Sequence, residues 1–450
     1  MGEIAALELL VPAAATSQPL GPPVLQVVLT SLFAVYIGSK IGGEITSRLR
    51  LTPILGELLA GIVLGVSLLQ VVLLPGSNVA ASDSLLLQAI RDFHPGLGEA
   101  ALAELFETQG LILATLSKLG VILLLFQVGL ESDLRELIKV APQAGIMALL
   151  GVGMPLTAGL GGLVGIFGVD LTSALFAAAA MTATSIGISI SILTSLRMVG
   201  SRAGQVILGA AVLDDITGIL ILTLVNGLVV GSGLDPAGVL VLLVMPPLFL
   251  LAAIALSRLL GSLFVGFSGL LKSRGTLLLS ALAFCFGLAF LADAARLEPL
   301  IGAFAAGLIV GQTELNQSVE RQIQPIADLL IPIFFVVTGA QIDMRTIDPF
   351  SPSGGIVLLM GLFLTAIVVA GKLGGAYLVQ RLTPDPPSPL PVAFGMLPRG
   401  EVTLIVLGIG IASGQMSSQS SAAVVLAVLA TVVLTPLGLR QSVAPPQDSH

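Results

Sequence analysis

Long apolar stretches follow one another along the chain, and the polar residues gather in short runs between them. A helix rises 1.5 Å per residue, so crossing the hydrocarbon core of a bilayer takes about 20 residues. About thirteen stretches come near that length. They fall at 22–43, 53–74, 109–130, 141–168, 171–196, 203–230, 237–260, 275–292, 298–313, 325–340, 354–380, 389–413 and 419–439. The pattern predicts an all-α polytopic membrane protein. Between the second and third stretches lies one long acidic loop, 75–108, with room for a short surface helix; a solvated loop is the expected reading over a cation-collecting vestibule. A proline-rich connector, PDPPSPLP at 384–391, is expected to be stiff and without chemistry.

Composition agrees with this pattern. Of 450 residues, 55% are hydrophobic and only 10% charged, and the mean hydropathy is +1.06. Soluble domains carry about 25% charged residues. The partner is a lipid bilayer, and no basic patch calls for nucleic acid. A single cysteine, Cys285, excludes an internal disulfide, and His94 and His450 stand at no metal-ligand spacing. Met1 to Leu20 lacks a basic leader region and is expected not to be a signal peptide.

Loop charge orients the chain. With the N-terminus outside, the cytoplasmic loops and tail hold Arg48, Arg50, Arg135, Lys139, Arg197, Arg202, Arg258, Lys272, Arg274, Arg321, Arg381 and Arg440. The outer loops then hold Arg91, Arg296 and Arg345. That bias fits the positive-inside rule, and an odd number of spans puts the C-terminus in the cytoplasm.

The candidate chemistry lies inside the spans. Asp214 and Asp215 are adjacent in the middle of the sixth stretch. An acid at bilayer depth costs about 2.5–3.5 kcal/mol on insertion scales, and two ionised neighbours repel each other as well. Such residues mark ion or proton paths. Lys372, in IVVAGKLGGAYLV, lies too deep to reach the surface easily, and its flanking glycines imply a close helix. An ion pair with one of the two aspartates is the economical arrangement. Two spans look interrupted. The fifth carries Thr182, Thr184, Ser185, Ser189 and Ser191 around Gly187; the twelfth contains Pro398-Arg399-Gly400-Glu401, whose opposite charges can partly neutralise each other. Hydroxyls bonded back to their own helix are the alternative for the fifth. Spans 4–6 read plain, broken, charged, and spans 11–13 charged, broken, plain. Interrupted spans at matching places in two halves point to a transporter built from inverted repeats.

Seven motifs in this order carry a resemblance: LTPILGELLAGIVLG (51–65), LGVILLLFQVGLE (119–131), TATSIGIS (182–189), GAAVLDDITGIL (209–220), IPIFFVVTGAQID (331–343), GKLGG (371–375) and LPRGEVTL (397–404). The chain resembles the monovalent cation:proton antiporters of the CPA2 group, most closely the NapA/GerN type, over about Leu51 to Leu439. The resemblance implies an inverted-repeat antiporter fold of the NhaA/NapA kind with crossed broken helices, acting as a homodimer. It implies an extracytoplasmic tail (1–21), an interface domain (22–140 and 275–353), a core transport domain (141–230 and 354–439), a linker helix (231–274) and a cytoplasmic tail (440–450). Asp215 matches the family's ion- and proton-binding carboxylate, and Asp214 the partner of the core lysine, Lys372. Thr184 and Ser185 match the unwound segment beside the ion, and Arg399 and Glu401 the charged pair of the other crossing.

The implied activity is secondary active exchange of Na+ or Li+ for H+, both competing at the aspartate pair. The cation is cargo, held by Asp215 and Asp214, and no resident cofactor is implied. Glutathione-gated K+ efflux relatives carry Gln-Asp and an added nucleotide-binding domain; electroneutral relatives carry Asn-Asp. The Asp-Asp pair here therefore implies an electrogenic exchanger, with K+/H+ exchange on the same fold as the alternative. Gln127 departs from the aliphatic residue relatives often have. The implied location is a bacterial cell membrane, with the thylakoid an alternative for a cyanobacterial protein. A cation channel or uniporter, an organic-anion symporter and an intramembrane aspartyl hydrolase are the rivals. Channels ring a pore by symmetry, which this asymmetric charge does not suit. An anion site needs positive charge, whereas the centre here is acidic. Paired-aspartate hydrolases take one acid from each of two helices, not two adjacent ones turned about 100° apart. The chain is thus expected not to be an enzyme.

Overall fold

The computed structural model describes residues 21–49, 52–74, 84–94, 97–132, 134–230, 244–245, 248–249, 252–253, 255–270, 275–295, 297–346 and 354–442. The described residues are helical throughout, without strands. In chain order the helices are α1 (Gly21–Arg48), α2 (Pro53–Leu64), α3 (Leu85–Phe93), α4 (Glu99–Glu131), α5 (Leu134–Met154), α6 (Leu160–Gly165), α7 (Leu171–Ala180), α8 (Ile186–Ser195) and α9 (Arg202–Val230). They continue as α10 (Ser257–Leu270), α11 (Thr276–Ala294), α12 (Pro299–Gly311), α13 (Asn316–Ala340), α14 (Gly354–Leu382), α15 (Pro389–Gly395), α16 (Glu401–Ala412) and α17 (Ser418–Ser442). Among the described residues, 7 segments are long and apolar enough to cross a membrane, and several shorter apolar helices accompany them. Half of the stretch at 237–260 lies outside the described residues.

The second stretch behaves differently from its hydropathy. It is helical only to Leu64; the chain then folds back, with Gln70 N donating to Gly65 O and Gln70 at φ 53°. Ser67 Oγ donates to Ile342 O, so this turn is fastened to the end of α13. Hydropathy reports apolar character alone, and this turn, with Leu68 and Leu69 exposed at its tip, reads as apolar as a helix. The acidic loop does hold its short helix, α3, whose N-cap Ser84 accepts from Leu87 N. Leu86, Leu87 and Ile90 pack with Val27, Leu102 and Leu105.

Two groups of helices follow from who packs on whom. In the first, α4 lies against α12 and α13, α2 against α1 and α13, and α11 against α12. Glycine permits the tightest of these approaches: a Cβ on Gly307 would lie 2.1 Å from Phe126 O, so α12 and α4 meet backbone to backbone. In the second, α5 lies against α9 and α14, and α14 against α15 and α17. Here both sequence-predicted interruptions are present, as α7–break–α8 over 181–185 and α15–break–α16 over 396–400.

The breaks complete each other. Opening a helix at membrane depth strands polar backbone groups that lipid cannot satisfy. Ser185 N donates to Pro398 O at 2.8 Å, and Thr403 Oγ1 donates to Ala180 O at 2.8 Å. Thr182 Oγ1 returns to Ala179 O at 2.7 Å. Each unwound segment thus supplies partners that the other has lost.

Candidate ion-binding site

α9 carries Asp214 past the crossing, and α14 brings Lys372 to it from the other repeat. Lys372 Nζ donates to Asp214 Oδ2 at 2.6 Å, and both side chains are fully buried. Thr184, in the first break, donates from Oγ1 to the same Oδ2 at 2.6 Å. Asp214 Oδ1 has no hydrogen-bond partner among the described residues. The described partner of Lys372 is Asp214.

Space for the lysine comes from α5. A Cβ on Gly151 would lie 2.1 Å from Lys372 Nζ, so glycine is what lets the ammonium cross between α5 and α9. Met154 packs on Gly371 in the same way from the other direction. Gly151→Val is expected to push Lys372 off Asp214 and lower the unfolding temperature in detergent, as loss of a buried pair costs about 3–5 kcal/mol. An unchanged melting curve would show that the ammonium has another route.

Arg399 completes the cluster. Its guanidinium is fully buried; Nη1 donates to Thr184 Oγ1 at 2.8 Å and to Met396 O at 3.4 Å, while Nε and Nη2 have no partner among the described residues. Thr184 Oγ1 therefore accepts from the guanidinium and donates to the carboxylate, joining Arg399 to Asp214. The described bonds of Arg399 run to Thr184 in the other crossing and to Met396 in its own. The side chains of Asp215 and Glu401 lie outside the described residues, although both positions are helical. Ser185 sits one residue on from Thr184, held through its backbone to Pro398 O.

A polar cavity of about 510 Å³ opens between the two helix groups. One wall carries Glu57 of α2, Gln127 and Glu131 of α4, and Gln324 and Asp328 of α13; α8 supplies Ser191, Thr194 and Ser195. Gln127 Nε2 donates to Gln324 Oε1 at 2.9 Å, and Gln324 Nε2 to Asp328 Oδ1 at 2.8 Å. Gln127, unexplained in the sequence, is the start of a polar chain along this wall. Sequence reasoning passed over Glu57, which accepts from Ser39 Oγ at 3.1 Å. The signal was present: a carboxylate within an apolar helix carries the same insertion cost that singled out Asp214. Beyond the cavity the groups touch, with Gly187 of α8 against Phe334 and Val121.

Two broken helices crossing at a buried carboxylate, with a polar cavity between the two helix groups, define a secondary transporter of the discontinuous-helix kind. The family model for the sodium/hydrogen exchanger transmembrane region matches residues 28–444. The chain belongs to the sodium/hydrogen exchanger family. It is 40% identical to the high-affinity Na+/H+ antiporter NhaS3 of Synechocystis, over 95% of this chain and 92% of that protein. It is 30% identical to the Na+/H+-K+ antiporter GerN of Bacillus cereus, over 89% of this chain and 92% of that one. The fold is that of the sodium proton antiporter MjNhaP1 from Methanocaldococcus jannaschii, with TM-score 0.59 and 14% identity, covering 93% of this chain and 96% of that one.

Proposed function

We propose that this chain exchanges Na+, and Li+ in its place, for H+ at one site formed by Asp215 and Asp214 with Thr184 and Ser185. The observation that carries this reading is the Asp214–Lys372 pair, fully buried where the two broken helices meet. A hard monovalent cation wants carboxylate, hydroxyl and carbonyl oxygen, and a proton wants the same carboxylate. Lys372 and the Arg399–Thr184 link face Asp214 while the site is empty. Asp215 is the exchangeable carboxylate. Cation binding there displaces the proton of Asp215 and loosens the Asp214–Lys372 pair; release of a second proton, from Lys372, is what makes the exchange electrogenic.

Coupling follows from the cost of carrying an unneutralised carboxylate through a low-dielectric barrier. The group holding α5–α9 and α14–α17 moves against the group holding α1–α4 and α11–α13 only with Na+ or H+ aboard. These groups are the core and interface domains, joined by a linker at 231–274, and two copies pair through the interface as a homodimer. In the orientation with the N-terminus outside and the C-terminus in the cytoplasm, the polar cavity opens to the cytoplasm. The protein resides in a bacterial cell membrane.

Proteoliposomes with a pH-sensitive dye test the reading. Na+ and Li+ are each expected to collapse an imposed proton gradient, with K+ weaker and Ca2+ silent. A proton leak that ignores all four cations, or cation flux without protons, would sink antiport and favour a uniporter.

A further inference from the structure

A second, apolar cavity of about 200 Å³ lies between the same two helix groups, on the other flank of the seam. Leu137 and Ala141 of α5 and Val212 and Leu213 of α9 form one wall; Phe304 and Leu308 of α12 face them. Leu213 precedes Asp214 in the chain, so the occupant of this cavity touches the helix that carries the ion site. A void of this size lined by hydrocarbon stays dry and takes an apolar guest. At Ser257, Ile309 and Gln312 it adjoins a polar cavity of about 660 Å³ that holds Arg258, Ser262, Thr313 and Glu314. The paired compartments, one oily and one polar with a single cation, have the shape and chemistry of an amphiphile.

We propose that this crevice binds one phospholipid with a glycerol headgroup, its acyl chain between α5, α9 and α12 and its phosphate at Arg258. The headgroup assignment rests on complementarity. Arg258 meets the phosphate, and the hydroxyls donate to Glu314 and Gln312, which a choline headgroup cannot do. Occupancy has a consequence that rests on the alternating-access reading above. Gly187 against Phe334 and Val121 closes the seam at the level of the breaks, while the polar and apolar cavities flank it beyond that point. Rocking the core to close the polar cavity brings α5 and α9 onto α12 and removes the acyl site. A guest with no place in the second state shifts the balance toward the first by its full binding preference. The lipid therefore holds the transporter with its polar cavity open and slows turnover.

Native mass spectrometry of the full chain released from nanodiscs tests binding directly. Wild type is expected to retain one phosphatidylglycerol per chain in preference to phosphatidylcholine. Ala141→Trp, at an exposed position that fills the crevice, should lose that lipid at least about tenfold. Arg258→Gln should keep a lipid but lose the headgroup preference. Thr194→Cys, in the polar cavity, should react several-fold faster with a maleimide in nanodiscs containing phosphatidylglycerol, and Ala141→Trp should erase that difference. Equal retention by wild type and Ala141→Trp overturns the proposal, as does retention of phosphatidylcholine equal to phosphatidylglycerol in wild type. Lipid binding is read without ion exchange, so a failure of the proposed ion site leaves this result standing, and the reverse.

Discussion

Replacing Asp215 with Asn abolishes Na+-driven proton movement in proteoliposomes, while the protein folds and purifies as wild type. The amide keeps the shape of the carboxylate but can neither release a proton nor supply the charge that a desolvated cation needs. Losing one full charge partner in a low-dielectric site is worth about 3 kcal/mol or more, a drop on the order of 100-fold in cation occupancy. Exchange should therefore fall to the level of empty vesicles at every pH. The control is the unfolding temperature, which should stay close to wild type. If the variant still exchanged at normal rate, Asp214 or an unidentified group would have to carry the cargo, and the shared-site mechanism would be wrong.

The second large effect concerns stability. Lys372→Met leaves Asp214 buried with Thr184 Oγ1 as its donor, and Asp214→Asn strands the ammonium of Lys372. Removing one member of a buried pair costs about 3–5 kcal/mol, because the other charge stays behind without compensation. Arg399 softens the first case, since its guanidinium already reaches Thr184 and has two nitrogens without partners among the described residues. Lys372→Met is thus expected near the lower end of that range and Asp214→Asn near the upper. The double variant should melt closer to wild type than either single, since neither charge then remains. Thermal unfolding in one detergent, at one pH, checks all three. Additive losses in the double variant would mean that the two residues stabilise the protein separately and that the ion pair is incidental.

How much of this was legible beforehand depends on the kind of question asked. Span positions follow from apolar length, which is a one-dimensional property, and α1, α9, α14 and α17 fall where hydropathy puts them. Both interruptions were visible too. A hydroxyl-rich run at 182–191 and Pro-Arg-Gly-Glu at 398–401 oppose helix continuity, and the chain unwinds at 181–185 and 396–400. The lysine's need for an acid was visible from its depth alone. Hydropathy misled at 53–74, where the chain beyond Leu64 is a non-helical turn fastened by Ser67.

Partner choice was another matter. For Arg399 the sequence offered Glu401, whose side chain lies outside the described residues; the folded chain adds hydrogen bonds to Thr184 on the other crossing and to Met396. Gln127 looked like an anomaly until α13 brought Gln324 beside it. The need for Gly151 appears only once Lys372 has been placed against α5.

By itself, then, the amino-acid order showed which segments are apolar enough to span a bilayer, where two of them break and which charges demand a partner. The cost of burying a polar group depends on the residue and its immediate surroundings along the chain. Which faces of α4, α5, α9, α13 and α14 meet, and so which hydroxyl joins Arg399 to Asp214 and which wall Gln127 lines, came from the folded arrangement. Those outcomes depend on helix rotation and close backbone approach, and a few glycines that look alike in sequence set them through what packs against each.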